Sequence, residues 1–141
     1  MKCFLLLLPA LTLLLSCDRN ACDLQYEFSN QTDYQINIAP VEPESIQFYP
    51  WHGDTCRIDP HAVFNTSFGF TKEVPNDMLL FIDYDSLKII FNNRNVVIHY
   101  RDSTKGDYSR SIFNMKSYEK NGCKFTYTFT QEDYERAKAV K

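Results

Sequence analysis

The chain contains little glycine and has no run of basic residues. Its 141 residues include four glycines, Gly53, Gly69, Gly106 and Gly122, and no two of them lie close together. A glycine-rich loop that cradles phosphate is therefore excluded. Lys and Arg number 15 against 18 Asp and Glu, which gives a net charge of −3. Because a basic stretch is the electrostatic signature of nucleic-acid binding, we expect no nucleic-acid partner.

The chain is rich in aromatic residues. They make up 15% of it, and 44% of the residues are hydrophobic. Disordered chains are poor in aromatics, so this composition indicates a folded body. The length suits one ordinary domain, since single domains cluster around 100–150 residues.

One long apolar run lies at the start of the chain. Residues 4–15 are almost all apolar and follow a short cationic start at Lys2. A helix of that length spans about 18 Å, whereas the hydrocarbon core of a bilayer is about 30 Å thick. Pro9 weakens such a helix further. The run therefore predicts the apolar region of a signal peptide.

The residues after this run resemble a lipidation signal. Leu14-Leu15-Ser16-Cys17 is similar to the lipobox of bacterial lipoproteins. The resemblance implies cleavage between Ser16 and Cys17 and a thioether-linked diacylglycerol on Cys17, with fatty chains such as palmitate. We expect a signal peptide at 1–16, a lipidated tether at 17–23 and a single domain at 24–141. The alternative is an ordinary secretory signal with Cys17 as a plain thiol.

The proposed anchor predicts where the protein acts. Several fatty chains hold a protein stably to a membrane, so the membrane is an expected partner. The expected location is the cell envelope, at the outer membrane or cell surface. Asp18 is compatible with retention at the inner membrane, so that alternative stays open.

Three cysteines remain in the predicted mature domain. Cys22, Cys56 and Cys123 would lie in an oxidising compartment, where disulfides persist. Three thiols allow three pairings. We favour Cys56–Cys123, because both fall in predicted strands while Cys22 precedes the first one. Metal-ligand spacing such as CxxC is missing, and we expect no metal or cofactor.

Apolar and polar residues alternate with a period of two along the rest of the chain, which is typical of half-buried strands. The clearest case is 123–129. Turn residues at 30–33 and 92–95 predict hairpins between the strands on either side. The predicted strands are 24–28, 34–38, 55–58, 64–70, 78–82, 87–91, 96–100 and 123–129, with a short piece at 111–114.

Only the C-terminus has a helical pattern. Thr130 can cap a helix, with Asp133 in the place of the Glu of a capping box, and Glu132 faces Arg136 one turn later. Tyr134 and Ala137 would contact the sheets. Many short strands and one late helix predict an all-β fold, an antiparallel β-sandwich with a short C-terminal α-helix.

Three stretches of the chain resemble a known group of proteins. FSNQTDYQI (28–36), DSLKIIFNN (85–93) and FTYTFTQEDYERA (125–137) are similar to segments that recur in small uncharacterised lipoproteins of Bacteroides-type gut bacteria. The resemblance implies an envelope location and an all-β fold. It implies no catalytic activity.

One segment is a candidate ligand-binding loop. Tyr49, Trp51 and His52 lie within a stretch that is interrupted by prolines, and Trp51 is the single tryptophan. Aromatic side chains on loops stack on sugars or peptides. The alternative is that Trp51 closes one end of the core.

Acids and histidines provide weaker candidates. Four of them lie around the third predicted strand, but their spacing matches no ligand motif: His52, Asp54, Asp59 and His61. Asp83 and Asp85 suit a turn better than a Ca²⁺ loop. We expect His99 to point outward, and no Gly-x-Ser-x-Gly elbow frames a serine. We therefore assign no catalytic residues.

Two functional hypotheses follow. The first is a lipid-anchored, non-catalytic envelope module that binds a glycan, a peptide or another envelope protein. The alternative is a small envelope hydrolase that uses loop acids and histidines. An enzyme should gather a histidine and an acid in one pocket. A binding module should present an aromatic surface or an open sheet edge.

Overall fold

The computed structural model describes residues 22–41, 55–71, 81 and 84–139. In this part of the chain two short 3₁₀ turns, Tyr108–Arg110 and Met115–Ser117, precede the last two strands. The strands and the helix are β1 (Cys22–Asn30), β2 (Ile36–Pro40), β3 (Cys56–Ile58), β4 (Val63–Thr71), β5 (Ser86–Phe91), β6 (Asn95–Tyr100), β7 (Glu119–Asn121), β8 (Lys124–Phe129) and α1 (Gln131–Ala139).

The strands form two four-stranded sheets. The first sheet has the order β4-β1-β8-β7, and the second has the order β3-β2-β5-β6. This arrangement, with one short C-terminal helix, confirms the predicted all-β, sandwich-like fold. The first sheet is mixed, because β1 and β8 run parallel with Tyr26 beside Phe125. Parallel neighbours need a long crossover, which the intervening chain from β2 to β7 supplies.

The predicted hairpin at 30–33 is wrong. The turn leads the chain from β1 in the first sheet to β2 in the second. Buried Asn30 holds this crossing together. Its amide nitrogen donates to the carbonyls of Tyr34 (2.8 Å) and Asp59 (3.0 Å), and its Oδ1 accepts from the backbone N–H of Thr32 (3.0 Å). The polar residues at 30–33 do form a turn, but such a turn can also join two sheets.

The hairpin predicted at 92–95 is confirmed. It joins β5 and β6, and the N–H of Arg94 donates to the carbonyl of Phe91 at 3.1 Å. Asn92 and Asn93 adopt the left-handed backbone conformation, with φ of 51° and 55°. Asparagine tolerates this conformation better than most residues, which is why it marks such turns.

The core lies between the inner faces of the two sheets. Tyr26 stacks on Phe125 with ring centroids 5.5 Å apart, and Tyr127 lies 4.8 Å from Phe129. Burial of each large side chain contributes about 1.5–3 kcal/mol before entropy is counted. The largest fully buried side chains are Tyr26, Tyr127, Phe28, Phe81, Phe91, Phe125, Phe129, Leu24, Ile36, Ile38, Ile58 and Leu87.

The predicted disulfide is also wrong. Cys22 bonds to Cys123 across a Cα–Cα distance of 6.3 Å, and Cys56 is a buried free thiol. β1 begins at Cys22, two residues before the predicted strand, and its parallel pairing with β8 brings the starts of these strands together. Cys56 lies on β3 in the other sheet, and Cys123 is already bonded to Cys22.

The C-terminal helix forms as predicted. The carboxylate of Asp133 accepts from the N–H of Thr130 at 2.9 Å, and Arg136 donates to Glu132 at 2.7 Å. The ring of Tyr134 stacks on Tyr34 with centroids 3.8 Å apart, and Ala137 is buried. These contacts tie α1 to the end of the sandwich.

Two other segments that the sequence predicts as strands form turns where the structure describes them. Of the predicted strand 78–82, only Phe81 lies within the described residues, and it belongs to a turn. The predicted piece at 111–114 is a turn between the two 3₁₀ segments.

Candidate functional site

The lipidation site and the aromatic loop lie outside the described residues. This concerns Ser16 and Cys17, and also Tyr49, Trp51 and His52. Cleavage, lipidation and ligand binding by this loop therefore stay predictions. Two pockets of the described residues combine charged side chains with an imidazole or an aromatic ring, and they differ in what they can do.

The acids and histidine around β3 lie apart on the surface. His52, Asp54 and Asp83 are outside the described residues. Nε2 of His61 lies 2.8 Å from Oδ1 of Asp33, and Asp59 pairs with Arg57 at 3.0 Å; all four side chains are exposed. In the described part of the chain, no group of three His, Cys, Asp or Glu residues could hold a metal ion.

His99 does not point outward as predicted. Its exposed fraction is 9%, and its Nδ1 accepts the backbone N–H of Ile112 at 3.0 Å. The outer face of β6 instead carries Val96, Ile98 and Tyr100. These three form the more apolar face in the sequence, so the apolar pattern alone predicts the opposite orientation of the strand.

His99 faces a small pocket of about 40 Å³ beside β6, which has both apolar and charged lining residues. A cavity of this size holds a water molecule or two. Its charged lining consists of two ion pairs. The guanidinium of Arg110 binds Asp133 with two hydrogen bonds, at 2.6 and 3.2 Å, while Arg136 lies 2.8 Å from Asp107. The structure thus brings a histidine and two carboxylates together.

The chemistry of this pocket is restricted by the hydrogen bond of His99. Burial lowers the pKa of His99 to about 4, so the ring is neutral at neutral pH. Because Nδ1 accepts from Ile112, the ring proton lies on Nε2. To accept a proton through Nε2, neutral His99 would first have to change to the other tautomer, and it would then lose the hydrogen bond from Ile112. The carboxylate of Asp133 is likewise already hydrogen-bonded, because it accepts from both Arg110 and the N–H of Thr130.

The second cluster lines an open cleft at the other end of the β5–β6 hairpin. Its volume is about 410 Å³, which suits a small ligand or one end of a larger one. The start of β5, the end of β6 and the following loop build it. Its lining residues are Asp85, Ser86, Tyr100, Arg101, Asp102 and Lys105.

Arg101 holds the wall of this cleft in place. Its Nε donates to the carbonyl of Tyr84 at 2.9 Å, and its Nη2 donates to the carbonyl of Phe81. Its guanidinium lies 5.1 Å from the centroid of the Phe113 ring. Hydrogen bonds between a charged donor and neutral acceptors are among the stronger ones, so this side chain connects the cleft rigidly to the core.

The loop after β6 is shaped by two local features. Oδ1 of Asp102 accepts the N–H of Thr104 at 2.9 Å and its hydroxyl at 2.7 Å, and these bonds lower the pKa of the Asp102 carboxyl. Gly106 has a φ of 66°, and a Cβ there would lie 3.6 Å from the Tyr100 ring. The positive φ, rather than lack of space beside the ring, is what favours glycine at this position.

The cleft combines an aromatic ring with groups that donate and accept hydrogen bonds. Nζ of Lys105 lies 5.8 Å from the centroid of the half-buried Tyr100 ring. Ser86 lies directly beside Tyr100 in the β5–β6 pairing, and Asp85 precedes it along the chain. Sequence reasoning does not find this site, because expecting His99 to point outward places Tyr100 on the inner face of β6. The alternation of apolar and polar residues along β6 is the only sequence signal for this site.

Comparison with known proteins does not identify the chain. No family model matches it, and no match is found among curated proteins or solved structures. Among the helices of the described residues, none has both the length and the apolar character needed to cross a membrane.

Proposed function

We propose that this chain is a lipid-anchored protein of the cell envelope, and that its β-sandwich is a non-catalytic binding module. The cleft at Tyr100 is its ligand site, and a glycan is the ligand whose chemistry suits it best. The open cleft is the observation that carries the proposal: an aromatic ring, two carboxylates, a hydroxyl and an ammonium group surround about 410 Å³.

The composition of the cleft favours a glycan over an apolar ligand. Sugars present an apolar ring face, which packs on an aromatic side chain, and hydroxyls, which bind carboxylates and amines. Tyr100 provides the ring, while Asp85 and Asp102 accept and Lys105 donates. A peptide or an envelope protein is the alternative ligand and becomes an outcome of the binding test.

The binding test compares lysines inside and outside the cleft. Binding of oligosaccharide fragments of the bacterial envelope to the full chain is measured by calorimetry, with an extended peptide library as the second probe. Tyr100→Ala and Lys105→Ala should each weaken binding at least tenfold, whereas Lys116→Ala, an exposed lysine away from the cleft, should not. Equal effects of the two lysine variants would contradict the site.

The anchor is tested separately. Mass spectrometry of the native protein should find a chain that starts at Cys17 and carries fatty acyl groups. Cys17→Ala should release the protein from the membrane fraction. A free amino terminus without fatty chains would contradict the anchor, but it would leave the cleft at Tyr100 untouched.

The small hydrolase remains the second candidate, because His99 shares a pocket with Asp107 and Asp133. The test is hydrolysis of chromogenic esters and glycosides by the full chain. His99→Asn keeps an acceptor for the N–H of Ile112 and removes the imidazole. Turnover that disappears in this variant would replace the binding module with an enzyme.

A further inference from the structure

Among the described strands the two sheets have four edges, and three of them are protected. β3 and β7 are each only three residues long; Arg57 in β3 is exposed, and so are all three residues of β7. β6 is flanked by α1, and Arg110 and Asp133 line the pocket beside it. Short strands, charges and covering elements are the usual means by which proteins prevent unwanted strand pairing.

The fourth edge, β4, has none of these protections within the described residues. Its nine residues, VFNTSFGFT, include neither a charge nor a proline, and β1 is the only described strand that pairs with it. A bulge opposite Asp23 and Leu24 limits the regular part to residues 63–68. Even so, this part is twice as long as β3 or β7.

The backbone groups that face outward can be assigned. The N–H of Asn30 donates to the carbonyl of Ala62 at 2.9 Å, so the even-numbered residues of β4 before the bulge bond to β1. Hydrogen-bonding direction alternates along an antiparallel strand. The N–H and C=O groups of Val63, Asn65 and Ser67 therefore point away from β1, toward the side of β4 on which no described strand lies.

The side chains beside this edge also indicate a partner. Val63 is 48% exposed and is the large hydrophobic side chain that stands out most among the described residues. Next to it, Gln25, Asn65, Ser67 and Lys124 contribute to a shallow polar groove of about 310 Å³. An added strand would cover Val63 and lie along the rim of this groove.

We propose that β4 is the interface through which two copies of this chain associate, by antiparallel pairing of β4 with β4 of the second copy. A row of alternating N–H and C=O groups is matched by another extended strand, and β4 offers the same row on each copy. Its lack of charge means that self-pairing brings no like charges together. The proposed lipid anchor would confine copies to one surface and favour their encounter; that argument alone rests on the proposed function.

The regular part of β4 predicts the register. If the two-fold axis passes beside Asn65, then Asn65 lies opposite Asn65 of the second copy, and Val63 lies opposite Ser67. The three outward-facing residues are then all paired. In such a hydrogen-bonded pair the Cα atoms lie about 5.5 Å apart, which is within the range that a disulfide spans.

The mass of the full chain, purified in a non-ionic detergent, tests the association. Light scattering after size exclusion should find two chains per particle. Asn65→Lys places two ammonium groups opposite each other and should raise the dissociation constant at least tenfold. Asn65→Pro should do the same, since it removes an outward N–H and leaves the β1–β4 ladder intact. Thr128→Lys, on the same sheet face but on interior strand β8, is the control and should stay dimeric.

Cross-linking tests the register independently of stability. Cys22 and Cys123 are bonded and Cys56 is buried, so a thiol introduced at residue 65 is accessible where theirs are not. Asn65→Cys should form a covalent pair on mild oxidation, and Thr128→Cys should not. A single-chain mass for the wild type, dimers that survive Asn65→Pro, or equal cross-linking by both variants would overturn the proposal. So would a monomeric chain that binds an extended peptide along β4.

Discussion

Acidification should destabilise the fold through His99. The imidazole is buried, its Nδ1 accepts the N–H of Ile112, and burial lowers its pKa to about 4 from the usual 6.5. In the unfolded chain the same ring is in water and takes up a proton near pH 6.5. Between these two values the unfolded state therefore binds more protons than the native state.

The sign and the size of the effect follow from this difference. Stability rises with pH wherever the unfolded state binds more protons. The contribution of His99 is thus fully present above pH 6.5 and is lost as the pH falls toward 4. At about 1.4 kcal/mol per pH unit, the total loss amounts to roughly 3 kcal/mol.

Urea unfolding of the full chain between pH 4 and pH 8, followed by circular dichroism, measures this loss. His99→Asn retains an acceptor for Ile112 but cannot titrate in this range. The difference in unfolding free energy between wild type and variant isolates His99, because the other titrating groups are common to both. This difference should shift in favour of the variant by roughly 3 kcal/mol from pH 7 to pH 4. A difference that stays constant with pH would refute the assignment of His99 as a buried neutral ring.

Two other sets of substitutions test the contacts of Asp133 and the Cys22–Cys123 disulfide. Asp133→Ala leaves the guanidinium of Arg110 and the N–H of Thr130 without their carboxylate, so the free energy of unfolding should fall by about 3–5 kcal/mol. The control, Glu132→Ala, removes an exposed ion pair and should lower it by less than about 1 kcal/mol. Replacing Cys22 and Cys123 together by Ser opens a loop that spans 101 positions and should lower stability by roughly 2–5 kcal/mol. Non-reducing peptide mapping checks the pairing, and a peptide that links Cys56 to Cys123 would contradict it.

Features that depend on neighbouring residues could be predicted from the sequence. The β5–β6 hairpin depends on Asn92 and Asn93, which tolerate a left-handed backbone. The start of α1 depends on the Asp133 carboxylate, which accepts the N–H and the hydroxyl of Thr130. The alternation in β1, β5 and β8 predicted half-buried strands, and these strands indeed have one buried face. Each of these signals lies within a few residues of the feature it specifies.

The candidate sites could be predicted far less well. On β6, alternation shows that Val96, Ile98 and Tyr100 share one face, but it does not show which face turns inward. The more apolar face lies outside, so His99 became a buried residue and Tyr100 became part of the cleft. Pairing across the sheet and packing of the segment after β6 decide this orientation, and both involve residues distant in the chain.

The sequence by itself determined that the chain forms many short strands, one C-terminal helix and an asparagine hairpin, because these follow from local backbone preferences and the alternation of apolar residues. Only the tertiary structure decided that β1 and β8 run side by side, that Cys22 therefore meets Cys123, and that β4 is an edge strand among the described strands. The physical reason is that backbone hydrogen bonds are the same for every strand, so the choice of partner depends on how the whole core packs.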